Sequence, residues 1–316
     1  MDTSINNEHD SSGNGGGDFP PKPVMVEQKK NTVTRSLISL LVYALLFYFL
    51  FERNLAYIAA ILIVIIIHES GHFLFMKLFN YSNVKIFIVP LLGAFTNGKK
   101  QKVSQLQLSI IILAGPVPGI IIGSLIYYFN LNLQNDTLKM LANSFLIINL
   151  LNCLPFYPLD GGRLIETLFF KQNHVLRLVF GIISIVALSF LFFYSPIMLI
   201  VPVLIGFELY NESKHQKIRD YLTHEKINYH IDYNNLPDKD YWFIRDCLLF
   251  SFPKKYPGIN PGNYEYSFAE SLLVQHTNAV LQINLINDLN IFKRVIVLLL
   301  YITVFFLPFI FFKLPL

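Results

Sequence analysis

The chain has 316 residues, of which 53% are hydrophobic and only 15% charged, where soluble domains carry about 25% charged residues. A mean hydropathy of +0.48 excludes an ordinary soluble globule or a single-anchor protein and implies a polytopic membrane protein, all-α in class. The net charge of +4 does not point to nucleic acid, and Cys153 and Cys247, far apart in sequence, suggest neither a disulfide framework nor a thiolate metal site.

Residues 1–35 carry the polar run Ser11-Ser12-Gly13-Asn14-Gly15-Gly16-Gly17, then prolines at 20, 21 and 23, and read as a disordered tail without a cleavable signal peptide. About seven apolar segments of membrane-embedded length follow. They lie at 36–51, 55–79, 106–129, 138–154, 176–194, 197–210 (short) and 292–312, so that 36–210 forms a membrane domain with six segments. After the second segment, residues 84–96 are β-branched and aromatic and are interrupted by Pro90 and Gly93, which predicts a strand or short β-hairpin. Extended backbone near membrane depth must be buried against protein or line a wet cavity. The segment is therefore a candidate edge for pairing with an extended substrate, or else a structural loop of two short strands.

From 211 to 291 the composition turns polar, with enough apolar residues around Trp242 and Leu248 for a small cytoplasmic domain. A C-terminal transmembrane helix occupies 292–316. Basic residues cluster at Lys29, Lys30 and Arg35, at Lys99, Lys100 and Lys102, at Arg163, Lys171 and Arg177, and at Lys214, Lys217 and Arg219. The alternate loops hold only Arg53 and Lys139, so the positive-inside rule places the N-terminus and the basic loops in the cytoplasm.

The second segment contains His68-Glu69-Ser70-Gly71-His72. Ionisable groups within an apolar span are costly and mark a functional site. Positions i and i+4 share a helix face, so His68 and His72 can present two imidazoles to one metal ion, with Glu69 close enough to handle a proton. A catalytic zinc site needs a third protein ligand and an open position. Asp160 supplies a candidate in Asn152-Cys153-Leu154-Pro155-Phe156-Tyr157-Pro158-Leu159-Asp160-Gly161-Gly162-Arg163, where prolines and glycines break the helix. By itself, that run also fits a helix-terminating turn. His174, His215, His224, His230 and His276 lack a paired spacing and read as solvated or structural.

These motifs, in this order on separate segments, resemble the site-2 protease family of intramembrane zinc metalloproteases over roughly residues 55–165. Ala114-Gly115-Pro116 is similar to the family's small-residue Gly-Pro motif, but Gly119 stands where the family usually has Asn. The resemblance implies a three-helix catalytic core and one Zn²⁺ held by His68, His72 and Asp160. Glu69 would be the general base, taking a proton from metal-bound water and passing it to the leaving amine. Asn152 matches a position that helps hold substrate or the oxyanion. The implied substrate is a transmembrane helix of another protein, locally unwound, and the implied location is the plasma membrane of a bacterium. Two other readings stay open: an inactive membrane binding or escort protein of the same fold, and a metal-ion transporter, for which Glu208 is the main additional ionisable residue in a span. The bilayer is the one further partner indicated, the basic loops touching anionic lipid.

Overall fold

The computed structural model describes residues 19–25, 55–89, 93–100, 102–170, 173–193, 199–282 and 284–311. The expected segment at 36–51 lies outside them. The chain divides into two compact units, one of 27–217 with 282–316 and one of 1–26 with 218–281.

The larger unit is built on helix α1 (Leu55–Leu78), whose inward stripe of Ile58, Ile61, Val64, His68 and His72 recurs at helical spacing. At about 1.5 Å per residue its 24 residues exceed the roughly 30 Å of bilayer hydrocarbon. Strands β1 (Ser82–Val89) and β2 (Gly93–Lys99) follow as an antiparallel hairpin in which Ile86 faces Thr96 and Phe87 faces Phe95. The short β3 (Lys102–Ser104) pairs in parallel with β4 (Asn284–Ile286). Helices α2 (Gln105–Ala114) and α3 (Pro116–Leu133) succeed one another at Gly115, so the expected 106–129 span is one long apolar stretch with a break inside it. The start of α2 is capped by Ser104 and by Asp288, whose carboxylate accepts from Leu106 N at 3.2 Å and from Ser104 Oγ at 2.5 Å.

Helix α4 (Asp136–Asn152) begins at Asn135, whose side chain accepts from Leu138 N. After a proline-broken loop come α5 (Asp160–Ile165), a π-helical turn (Glu166–Phe170), α6 (His174–Ser189) and α7 (Ile200–His224). The expected 197–210 segment is thus the start of a longer helix that runs on into polar sequence. Helix α10 (Ile291–Phe311) closes the described chain, and its Val297 and Tyr301 pack with Ile112, Ile120, Cys153 and Leu164. Among the described residues three helices are long and apolar enough to cross a membrane: Leu55–Leu78, Gln105–Leu133 and Ile291–Ile310. The chain is accordingly an integral membrane protein. Helix α6 is apolar, but its 16 residues span only about 24 Å.

The smaller unit is assembled on α8 (Asp238–Ser251) and α9 (Glu270–Val280) around Tyr233, Tyr241, Trp242, Leu248 and Leu273. Arg245 and Glu270 are buried there as an ion pair, with Nε 3.1 Å from Oε1. Tyr241 OH also donates to Glu270, and Arg245 Nη1 and Nη2 donate to the carbonyls of Asn263 and Glu265, so the buried charges are paired and hydrogen-bonded. Residues 19–25, which the sequence reading places in a disordered tail, lie in extended form against this unit, with Phe19 and Met25 packed on its core.

Candidate metal centre

His68 and His72 stand one turn apart on the inner face of α1, with their Nε2 atoms 3.2 Å apart. Asp160 Oδ2 lies 3.0 Å from His68 Nε2 and 3.4 Å from His72 Nε2. All three residues are buried, at 5%, 8% and 6% exposure. Asp160 arrives from a separate part of the chain because Pro155 and Pro158 end α4 and turn the backbone back. The loop closes tightly on the first turn of α5. A Cβ at Gly161 would stand 2.3 Å from the Cys153 oxygen, and one at Gly162 would stand 2.3 Å from the Phe156 carbonyl carbon. Tyr301 of α10 donates to the same Cys153 carbonyl and ties the loop down.

The outer nitrogens of both imidazoles are engaged. His72 Nδ1 is 2.8 Å from the Ile111 carbonyl, which can only accept, so the proton sits on Nδ1. His68 Nδ1 is 2.8 Å from Asn149 Oδ1, and Asn149 Nδ2 donates to Phe145 O at 2.7 Å, which fixes the orientation of the carboxamide. Both Nε2 atoms therefore turn lone pairs towards Asp160 Oδ2, a buried oxygen with no hydrogen-bond donor. Three acceptor atoms this close repel one another unless a cation lies among them. Two imidazoles and a carboxylate, each with a ligand atom within 4.8 Å of the others, fit Zn²⁺ with a position left open. Gly115 keeps the space clear, since a Cβ there would stand 2.3 Å from His72 Nε2 and 2.9 Å from His68 Nε2.

Glu69 is buried beside this group, and its Oε2 accepts from Thr96 Oγ1 at 2.8 Å. Thr96 belongs to β2, so the hairpin reaches α1 and holds the Glu69 carboxylate. The centre opens into a cavity of about 1040 Å³, with apolar walls from Ile61, Ile65, Ile147 and Leu204 and a polar end at His68, Glu69, His72, Thr96 and Asp160. Asn152 lines the same cavity and turns its amide back to Ile148 O at 3.1 Å. At another part of the lining, Tyr157 OH donates to Glu208 Oε1 at 2.5 Å.

The sequence motifs thus bring His68, Glu69, His72 and Asp160 together and put Asn152 in the same wall. Sequence reasoning missed Asn149 and Thr96. The one available signal for Asn149 was its position three residues before Asn152, on nearly the same helix face. Gly119, noted as a departure, has a structural counterpart: a Cβ at 119 would meet Asn149 Nδ2 at 2.1 Å. The carboxamide that serves His68 fills the space that the glycine leaves.

Residues 56–145 match peptidase family M50. The chain is 28% identical over 118 residues to the zinc metalloprotease MJ0392 of Methanocaldococcus jannaschii, covering 36% of this chain and 34% of that protein. It is 27% identical over 114 residues to stage IV sporulation protein FB of Bacillus subtilis, covering 35% of this chain and 40% of that protein. The matches thus span well under half the length of these relatives. The family match includes His68, Glu69, His72 and Gly119 but stops short of Asn149, Asn152 and Asp160, whose placement rests on the geometry above. Over residues 56–145 and the His68–His72 motif they carry, the chain is similar to the site-2 proteases of peptidase family M50.

Proposed function

We propose that this protein is an intramembrane zinc metalloprotease that hydrolyses peptide bonds within or near transmembrane helices of other membrane proteins. The observation that carries the reading is the convergence of two Nε2 lone pairs and an undonated carboxylate oxygen at the end of an apolar cavity, with Glu69 beside them. His68, His72 and Asp160 would hold one zinc ion. When bound, the ion supplies a Lewis acid that polarises a carbonyl and brings the pKa of water towards about 7.

The chain's own groups then divide the work. Glu69 takes one proton from the attacking water as its oxygen bonds to the carbonyl carbon. The same carboxyl returns that proton to the amide nitrogen as the C–N bond breaks. Thr96 orients Glu69 through its hydroxyl. Asn152 is assigned to the substrate carbonyl as it gains negative charge. The apolar walls accommodate side chains of a membrane segment, and burial restricts water to the polar end. A helix hides its amide bonds, so the substrate must be unwound locally. We assign the outer edge of β2, around Ala94-Phe95-Thr96, to pairing with the unwound strand. The basic loops put the N-terminus in the cytoplasm, and the host membrane is assigned as the bacterial plasma membrane.

The test compares membrane proteomes of cells carrying the wild-type protein and Glu69→Gln, with zinc content measured in both. Accumulation of specific membrane-spanning fragments in the variant supports proteolysis and names the substrates. Identical fragments with full zinc loading would favour a non-catalytic binding protein. A proline scan through 94–96 that left cleavage unchanged would remove the strand-pairing role.

A further inference from the structure

Residues 19–25, Phe-Pro-Pro-Lys-Pro-Val-Met, meet the smaller unit in a pattern that packing of a loose end does not require. Proline fixes φ at 20, 21 and 23, and a following proline biases Phe19, Pro20 and Lys22 to extended geometry, so covalent structure alone holds 19–23 close to polyproline II. That helix repeats every three residues. The burial agrees: Pro21 and Val24 point outward, while Phe19, Pro20, Lys22, Pro23 and Met25 are covered.

A proline-rich backbone offers carbonyls and few N–H groups, so a surface that reads it must supply donors. This unit supplies three from aromatic side chains. Trp242 Nε1 donates to Pro20 O at 2.7 Å, Tyr266 OH to Pro21 O at 2.8 Å and Tyr233 OH to Pro23 O at 2.7 Å. Phe19 lies on Tyr264 with ring centres 4.8 Å apart, and Tyr264 and Tyr266 both pack against Trp242. Lys22 adds a positional requirement. Its backbone N–H donates to Asp238 Oδ1 at 2.9 Å, its ammonium donates to the carbonyls of Asn234 and Leu236, and the ammonium also sits over the Tyr233 ring at 5.6 Å. Aromatic walls with outward donors and a carbonyl pocket for a cation form a reading site for one class of ligand.

We infer that the 218–281 unit is a recognition module for proline-rich peptides of the form aromatic-Pro-Pro-Lys-Pro, and that the chain's own residues 19–25 occupy it in cis. The tethered segment competes intramolecularly, so a free peptide gains access only when the tethered one is displaced.

The experiment uses the full-length protein in detergent and Trp242, the sole tryptophan of the chain, as reporter. Lys22→Glu removes the ammonium from its carbonyls and sets an acid beside Asp232 and Asp238, which releases the segment without altering the unit. A labelled peptide of residues 18–25 is expected to bind Lys22→Glu, and to bind the wild-type chain at least about tenfold more weakly. The same peptide carrying Glu at its lysine position should fail on both. Failure of the native peptide to bind a folded Lys22→Glu protein would overturn the inference. Loss of the Trp242 unfolding transition in that variant would overturn it too, because the segment would then be part of the core and not its ligand. A second variant avoids the substitution: a protease site is inserted after Met25 and cut. Exchange of the released fragment for labelled peptide, with the unit still folded, supports the module. A fragment that never exchanges counts against it.

Discussion

Asn149 on α4 accepts a hydrogen bond from His68 Nδ1 at 2.8 Å, through space that exists because residue 119 on α3 is glycine. Partners of this kind orient a metal-binding imidazole and fix its tautomer, and their removal typically weakens metal binding by about 10–100-fold. Asn149→Ala is expected to lose zinc affinity in that range, measured by competition with a chromogenic chelator on the purified protein. Gly119→Ala should lose a similar amount by pushing the carboxamide aside. The double variant should lose no more than either single one, because all three remove the same contact. Unchanged affinity in Asn149→Ala would show that His68 is oriented without it.

Thr96 and Glu69 make a second separable pair. Thr96→Val keeps the shape of the side chain and removes its hydroxyl from Glu69 Oε2. A hydrogen bond to a charged group contributes about 1.5–3 kcal/mol. Turnover should therefore fall roughly tenfold or more, with zinc content intact. Glu69→Gln should fall by about a hundredfold or more, again with zinc intact. An equal loss of zinc in either variant would move these residues from proton handling to metal binding.

The three ligands respond differently from Glu69. His68→Ala, His72→Ala and Asp160→Ala should each reduce bound zinc measured by mass spectrometry, from one ion per chain to a small fraction. Asp160→Ala also leaves two imidazoles facing one another at 3.2 Å, which are then free to share a proton. Retention of stoichiometric zinc in Asp160→Ala would remove the carboxylate from the ligand set.

In the smaller unit the titration of Glu270 has a definite sign. Burial pushes its carboxyl up, but hydrogen bonds from Tyr241 and Ser267 and the Arg245 guanidinium outweigh burial and hold it below its ordinary 4.5. A carboxyl depressed in the folded state contributes stability that is fully present above about 4.5 and is lost as pH falls through the folded value. Asp240 and Asp246 are raised by desolvation and act in the opposite sense. The difference between wild type and Glu270→Gln therefore isolates the effect. Trp242-detected melting of the wild-type chain should drop more steeply than that of the variant between pH 5 and 3. Parallel curves would show that the Glu270 network carries no net linkage.

The residues of the candidate metal centre were legible because their cost made them conspicuous: His68 and His72 interrupt an apolar helix, and Asp160 follows a proline break. Their supporting contacts were not. Asn149 and Asn152 differ by three residues on one helix, and only the rotation of α4 against α1 decides that 149 faces His68. Thr96 fell within the segment marked as extended, but its reach to Glu69 depends on how the hairpin folds back. The proline-rich stretch at 19–25 was read as part of a disordered tail, and it lies instead against the smaller unit. Its order comes from a groove made by residues more than two hundred positions away, which no local pattern announces. The membrane segments show the same division. Long uniform apolarity identified α1 and α10, whereas the break at Gly115 and the run of α7 beyond 210 are tertiary decisions.

The docking of residues 19–25 on the 218–281 unit also constrains how the intervening polypeptide is threaded. Two parts of a chain in hydrogen-bonded contact outside the lipid lie in the same aqueous compartment. In the proposed topology, with the 218–281 unit in the cytoplasm beside the N-terminus, the stretch from 26 to 217 crosses the bilayer an even number of times. Helix α1 and the α2–α3 stretch are each long and apolar enough to supply one crossing. Each further crossing in this stretch, whether at 36–51 or by α4, α6 or the first part of α7, requires a second to accompany it. The six crossings expected from apolar length and basic loops obey this parity, and the contact of Trp242 with Pro20 makes the smaller unit and residue 20 share one side of the membrane in that topology.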